Sequence, residues 1–586
     1  ADPVALAQRL RGVTTIPAPP TTARTRQVGE RQNFWVLNSS ENLEFQISAT
    51  LRVVGEHIYL WVQDTAADGS PLTILEEADL RALADAFDTR VYPQVRELWG
   101  SEANPGVDGD PRIYGLFAYN LGSGTAAYFA SRHTYPNEVF PTSNEHEMFL
   151  FNLDAISDNV AAPLVESIVA HEFQHMIRAN IQDNDAIWLN EGFSTFTQLY
   201  FYNDPGATLA FLTAPQTQLN TWAEDGPRAP HYGAAMLFIA YFYERYGAEA
   251  LRALSLDPGT GLESVERVLH NLGAPGANAL FADWTLANFL LDPTLAAGQY
   301  GYQLLPAELP SVVPRETITT YPYESTTTAN QYSANYTVLT NLEGVAALTI
   351  RLSAPEEVRL IPIDAASGRW LWYSNRGDMS DTRLTRAFDL TGVAAATLHY
   401  RAWYHLEDRW DYTYVMVSAD DGVTWDILSP PHTTEANPHS SAYGPGYTGR
   451  SEGWLEESLS LAAYAGKKLL VRFEMITDDA ISQPGFALDD VTIPEIGYAS
   501  DFETDGGGWE AQGWLRMDNR LPQPVWVQAV QHIGPEVEVT RWLAPDETAW
   551  TLPLADNVNQ VTLVVAPFAA VTTVPMEYTL TVTAGE

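Results

Sequence analysis

Apolar and polar residues alternate over 33–37, 43–53 and 57–63, which predicts antiparallel strands. Helical spacing takes over at 76–99, where apolar residues recur every three or four positions. Two more strands are expected at 112–118 and 125–131. From 162 to about 292 the pattern is helical, with candidates at 163–180, 187–202, 232–246, 262–272 and 277–291. Pro163 suits a first helical turn, where a missing N–H costs nothing. Gly247 and Gly273 stand where helix C-caps are expected. Past Pro306, Thr, Val, Tyr and Trp alternate with polar residues, and turn signals recur about every ten positions, the rhythm of an all-β region.

With 586 residues the chain is too long for one core. A Pro-, Thr- and Arg-rich arm occupies 1–30, and strands followed by helices make 31–308 an α+β domain. The composition breaks near 305–314. Beyond it we expect sandwich strands or linker at 309–379, a β domain at 380–496 and a C-terminal sandwich segment at 497–586. Strands at 560–566 and 576–582 are placed to close a sandwich with strands in 335–361, which would make 380–496 an insertion. No repeat of fixed period is present.

The helix expected at 163–180 carries His171-Glu172-Phe173-Gln174-His175. A four-residue spacing puts both imidazoles on one helix face, a turn apart, where they can share a Zn²⁺. Glu172 follows the first ligand and is placed to take the proton of an attacking water that zinc acidifies. The competing reading is a solvated helix face that carries two histidines by chance. Trp188-Leu189-Asn190-Glu191-Gly192-Phe193 weakens it, because it opens the next helical run. A catalytic zinc wants three protein ligands and an open fourth position, and Glu191 can supply the third.

Composition narrows the partners. Lys plus Arg number 32 and Asp plus Glu 74, a formal charge of -42, so phosphate backbones are repelled and nucleic acid is not expected. The absence of cysteine excludes disulfides and thiolate sites. No apolar run reaches the roughly 18 residues of a membrane span. The opening Ala1-Asp2-Pro3 reads as a mature or trimmed start. Export, from a bacterial cell, is therefore argued from the domains, and a monomer is expected.

The two motifs together resemble the gluzincin metallopeptidases, and "Trp-Leu-Asn-Glu-Gly-Phe-Ser" is similar to the second zinc motif of the aminopeptidase N superfamily. The 15 residues between His175 and Glu191 are fewer than in those relatives, and "His-Glu-Phe-Gln-His-Met-Ile" looks closer to the hyicolysin-type secreted bacterial peptidases. The resemblance implies a zincin catalytic domain of α+β class acting on protein or peptide substrates. It also implies that Tyr232, in His231-Tyr232-Gly233, stabilises an oxyanion, with His231 beside it, although the family's Lys-Gly neighbours are missing. An edge strand at Thr125, Ala126, Ala127 and Tyr128 would pair with the substrate backbone. The Gly-x-Met-Glu-Asn exopeptidase signature is absent, which favours an endopeptidase over an aminopeptidase. The run 144–147 reads as a loop.

Residues 389–493 resemble the jelly roll of immune inhibitor A-type metallopeptidases, on Trp410-Asp411-Tyr412, 418–425 and Gly485-Phe486-Ala487-Leu488-Asp489-Asp490-Val491. Asp411, Asp489 and Asp490, near Glu407 and Asp408, are candidate Ca²⁺ ligands. Ser418 to Trp425 also fits an Asp-box, a hairpin turn common in sialidases, with no catalytic part expected here. The fold class expected is multidomain: an α+β zincin domain followed by all-β jelly-roll and β-sandwich domains. The rival from another class is a surface adhesin or glycan-binding protein with an inactive peptidase domain, and the intact Glu172 argues against it.

Overall fold

The structure, a computed structural model, describes residues 1–585 apart from 23, 66–68, 71–74, 157–159, 183 and 224–225. The chain divides into two compact units, one of 1–185, 200–204 and 366–516, the other of 186–199, 205–365 and 517–586.

In the first unit, strands β1 (Arg31–Asn38), β2 (Leu43–Val54), β3 (Ile58–Gln63), β4 (Ile113–Ala118), β5 (Ala127–Phe129) and β6 (Met148–Asn152) form one sheet in the order β1-β2-β3-β4-β6-β5. β3, β4 and β6 run parallel, and the other pairs are antiparallel. Every residue of β3, β4 and β6 is buried. Strands covered on both faces weaken the period-two alternation, and Met148–Asn152, at five residues the shortest of the three, carried no strand signal.

Helix α1 (Pro3–Leu10) lies where an irregular arm is expected. Asp2 caps it by accepting from the Val4 and Ala5 amides, and Leu6 is buried with Tyr412, Tyr414 and Met416. Eight residues are too few for periodicity to speak. The helix expected at 76–99 is α2 (Glu77–Ala86) and α3 (Tyr92–Trp99), joined by a π turn at Phe87–Val91. Pro93 has no N–H to return to the preceding turn, and a π turn absorbs that loss. Helix α4 (Pro163–Ile181) begins on Pro163 as the sequence predicts.

The first unit also holds an all-β sandwich. Thr397–His405 and Gly485–Ile493 are central in one sheet, and Tyr412–Ser418, Lys468–Ile476 and Asp381–Asp389 in the other. Leu398, Tyr400, Phe486 and Leu488 from the first share a core with Val415, Val417, Val471 and Phe473 from the second.

The second unit contains α5 from its start (Ile187–Tyr202), α6 (Thr208–Leu212), α7 (Ala229–Ser255), α8 (Gly261–Asn271) and α9 (Ala277–Leu290). Gly247, at φ 81°, breaks α7 where the C-cap is expected. A second sandwich follows. Val561 pairs with Leu339 and Ile350 with Val582, so strands more than two hundred positions apart are neighbours. The chain leaves this unit after 365 and re-enters it at 517, where the insertion expected from sequence was 380–496. Tyr336 donates to the Thr285 carbonyl at 2.8 Å and Gln528 to the Thr285 hydroxyl at 2.9 Å, tying the sandwich to α9.

The run 144–147 is a loop leading into β6, and Asn144, His146 and Glu147 are buried in it. His146 stacks on Tyr114 with centroids 3.9 Å apart and bonds Asp108 at 2.9 Å. Glu147 accepts from the Val107 amide at 3.1 Å, yet burial, the largest cause, pushes its carboxyl up to about 7. The folded state then keeps a proton that the unfolded chain has released, so this group costs stability as pH rises from the ordinary carboxylate value through about 7. Glu147→Gln should remove that slope. Thermal melts at pH 5 and pH 8 should show the variant gaining on wild type at the higher pH by about 1–3 kcal/mol. Equal gaps at both pH values would contradict it.

Candidate metal centre

Helix α4 presents two different faces. Phe173 is buried, stacked on Tyr92 with centroids 5.5 Å apart and edge-on to Phe87 and Phe149. Val165, Val169, Met176 and Ile177 are buried as well. With that side committed to packing, the 3.6-residue period brings His171 and His175 out half-exposed on the other. Their Nε2 atoms are 3.1 Å apart and their rings stand at 77°. Glu172, next to His171, is buried. In the last turn of the helix, Arg178 is buried and pairs with buried Asp185, Nη2 to Oδ2 at 2.7 Å. Sequence reasoning missed that pair, because an Arg and an Asp seven positions apart carry no helical or motif signal.

Glu191 sits in the first turns of α5. Its neighbour Gly192 lets that helix approach α7 closely: a Cβ there would lie 2.8 Å from Ile239 Cγ1 and 3.1 Å from the Ala235 carbonyl oxygen. This approach brings the first turn of α7 beside Glu191, and the Tyr232 hydroxyl donates to Glu191 Oε1 at 3.4 Å. Trp222 packs edge-on against Tyr232, centroids 4.8 Å apart, and tilts against His231 at 5.6 Å. Burial holds His231 below its ordinary pKa, opposed by bonds to the Thr221 and Gln218 backbone, so it is a neutral ring near pH 7. Trp222 lies in a stretch without periodic signal and was not a candidate from sequence.

His171 and His175 on α4 in the first unit, and Glu191 on α5 in the second, are each partly exposed. Two imidazoles and a carboxylate are a zinc donor set that leaves a position open.

Ala127 and Tyr128 lie in β5, and Thr125 and Ala126 in the segment leading into it. β5 is the last strand of its sheet and pairs through Ala127↔Phe151, Tyr128↔Leu150 and Phe129↔Phe149. The calcium candidates do not come together as one set. Asp411 groups with Glu407 and Asp478, again with ligand atoms within 4.8 Å. Asp489 instead accepts from the Ala366 and Ser367 amides at 2.9 and 3.2 Å, and Asp490 from the Ser367 hydroxyl at 2.5 Å. Asp490 stands at φ 50°, where the strand's register shifts, so both carboxylates turn to Ser367 and neither joins Asp411. Asp411 is buried, and burial followed by Asp478 raises its carboxyl well above the usual range. At Ser418–Trp425, Asp420 accepts from the Ser418 hydroxyl at 2.7 Å and the Thr424 amide at 2.9 Å, and Trp425 donates to the Gly422 carbonyl at 3.1 Å, closing a structural turn.

The chain is related to bacterial metallopeptidases. In particular it resembles the hyicolysin-type and immune inhibitor A-type enzymes. Residues 339–519 match the family model of the immune inhibitor A-like MAM domain. Over 320 residues the chain is 23% identical to neutral metalloprotease ShpI of Staphylococcus hyicus, a match covering 49% of this chain and 68% of that protein. Over 135 residues, 23% of the chain, it is 30% identical to pre-pro-metalloprotease PrtV of Vibrio cholerae serotype O1, and that match spans 14% of the relative's length. Immune inhibitor A of Bacillus thuringiensis subsp. alesti is 28% identical over 160 residues, 27% of this chain and 22% of its own.

The Gly192 contact can be tested by adding one methyl group. Gly192→Ala forces α5 and α7 apart and should lower stability by about 1–3 kcal/mol. Gly392→Ala, where an added Cβ meets nothing within 4 Å, should be nearly neutral. Paired thermal melts compare the two, and equal midpoints would show that the close approach is not required.

Proposed function

We propose that the protein is a zinc-dependent metalloendopeptidase exported from a bacterial cell. The observation that carries this reading is the pair of histidines on one face of α4, Nε2 atoms 3.1 Å apart, with Glu172 next to the first on the same helix. His171, His175 and Glu191 would hold the metal. Zinc, when bound, supplies Lewis acidity, which polarises a carbonyl and acidifies water. Glu172 accepts the proton of the attacking water and returns one to the departing amine. Tyr232 offers its hydroxyl to the developing oxyanion, with Trp222 holding its ring and His231 lying alongside. The edge of β5, with Thr125 and Ala126 before it, takes an extended peptide by backbone pairing. Export fits a chain with no cysteine and a formal charge of -42. Among the described residues no helix is long and apolar enough to cross a membrane.

The same reading extends to calcium. The β sandwich of the first unit fits the jelly roll expected from sequence, and Ca²⁺ would sit at Glu407, Asp411 and Asp478 rather than at Asp489 and Asp490. Buried like charges of this kind call for a proton or a cation.

Two experiments test these readings. Glu172→Gln keeps the side chain's size and removes the base. Zinc content should stay at the wild-type level while casein hydrolysis falls by about three orders of magnitude or more. Near-normal hydrolysis by that variant would refute the mechanism. For calcium, a selective chelator should lower the melting midpoint of the full chain by about 2–8 °C, and Asp411→Asn should abolish the response. Identical melts with calcium and with chelator would remove the site.

A further inference from the structure

A strand of three residues does not hold itself in place. β5 makes three residue pairs with β6, and the chain around it must supply the rest. On its entry side the α+β region does so. Thr125 shares a hydroxyl bond with Ser39 at 2.7 Å, the Asn152 amide donates to the Thr125 carbonyl at 2.8 Å, and the Tyr128 hydroxyl accepts from the Leu37 amide at 2.9 Å.

On its exit side the anchors come from the β sandwich of the same unit. The chain leaves β5 into a short turn at Ser131–Thr134. Ser131 donates its hydroxyl to Asp479. The Arg132 guanidinium lies 4.6 Å from the centroid of the Trp410 ring and donates to the His439 carbonyl at 3.5 Å and to Glu44. Trp410 in turn stacks on His439, centroids 3.9 Å apart and planes within 1°. The Trp410 indole N–H donates at 3.1 Å to Asn42, at the tip of the β1–β2 hairpin. His439 is fully buried, and burial, then Arg132 and Arg409, push its pKa down to about 4, so its ring stays neutral beside the guanidinium. The sandwich thus grips both the turn after the edge strand and the hairpin that carries Leu37 and Ser39 on its entry side.

We infer that Trp410, His439 and Asp479 are positioning residues for substrate binding: they fix the edge strand that receives an extended peptide, so the β sandwich sets the enzyme's preference for long substrates. This rests on the reading of 125–128 as the peptide-pairing segment. Backbone pairing needs several donors and acceptors at fixed spacing, and a strand free to shift at one end loses the outer ones first. A peptide long enough to run along β5 should feel the loss, and a short one held mainly around the scissile bond should not.

The test uses the full chain loaded with zinc and two blocked peptides containing the same cleavage site, one of about ten residues and one of about four, the longer able to run the length of an edge strand. Trp410→Leu removes the stack, the guanidinium contact and the indole donor. It should raise KM for the long peptide about five- to twentyfold, leaving kcat and the short peptide nearly unchanged. Asp479→Ala should do the same more weakly, and Trp410→Phe should restore most of the loss. Amide exchange over 125–132 should quicken in Trp410→Leu, a readout that needs no turnover. If wild type cleaves both peptides and Trp410→Leu keeps the long-peptide KM with unchanged exchange, the inference fails and the peptidase reading stands. A drop in kcat on both peptides alike would also overturn it, because it would mark general destabilisation. If wild type cleaves neither peptide, the peptidase reading fails, and exchange over 125–132 alone decides whether the sandwich fixes the strand.

Discussion

Burial of one face of α4 is the constraint on which the candidate centre depends. Phe173 is enclosed by Phe87, Tyr92 and Phe149, aromatic rings contributed by the π turn, α3 and β6. A helix so pinned cannot rotate without leaving large apolar surface in water, at a cost of several kcal/mol for rings of this size. His171 and His175 therefore stay outward and adjacent whether or not a ligand is present. The carboxylate of Glu191 depends on a second packing constraint, the missing side chain at Gly192, which lets α5 lie against the α7 backbone. Within each unit the placement of the candidate ligands is set by the packing of side chains outside the candidate set.

Charge follows a similar logic. With 74 acidic and 32 basic side chains, cations are scarce, and the arginines inside each fold are used where carboxylates are buried. Arg178 meets Asp185, and Arg9 meets Glu474, whose carboxyl is held below its usual value by that arginine against the opposing cost of burial. At Glu147 and the Asp411–Asp478 pair, burial prevails and raises the carboxyl instead.

The β sandwich of the first unit is more than an appendage to the α+β region. Leu6 of α1 is buried among its tyrosines, and Arg11 donates to the carbonyls of both Val139 and Ser440. Together with the Arg132–Trp410–His439 stack, these contacts hold residues 1–185 and the sandwich in a single compact unit despite the intervening chain.

Local patterns were enough for much of this. The amphipathic helices, the alternating strands β1 and β2, the break at Gly247 and the spacing that faces two histidines the same way all follow from periods of two and 3.6, because neighbours in sequence decide them. The return of the 560–582 strands to 335–361 was also legible, from strand pattern on either side of an intact β segment. Elements without local signal were not: β6 is buried on both faces, α1 is too short for a period, and Pro93 splits a helix through a turn type that no propensity announces. The acidic residues show the limit most plainly. Asp489 and Asp490 stand side by side in sequence but spend their oxygens on nearby amides and a hydroxyl. Asp411 finds Asp478, 67 positions away, because strand pairing in the sandwich sets Tyr412 opposite Ile476. Sequence alone determines which residue types are available and how they repeat along a helix or strand. Which of them meet across strands is decided by tertiary packing, since contact between distant segments depends on register and burial that no local pattern encodes.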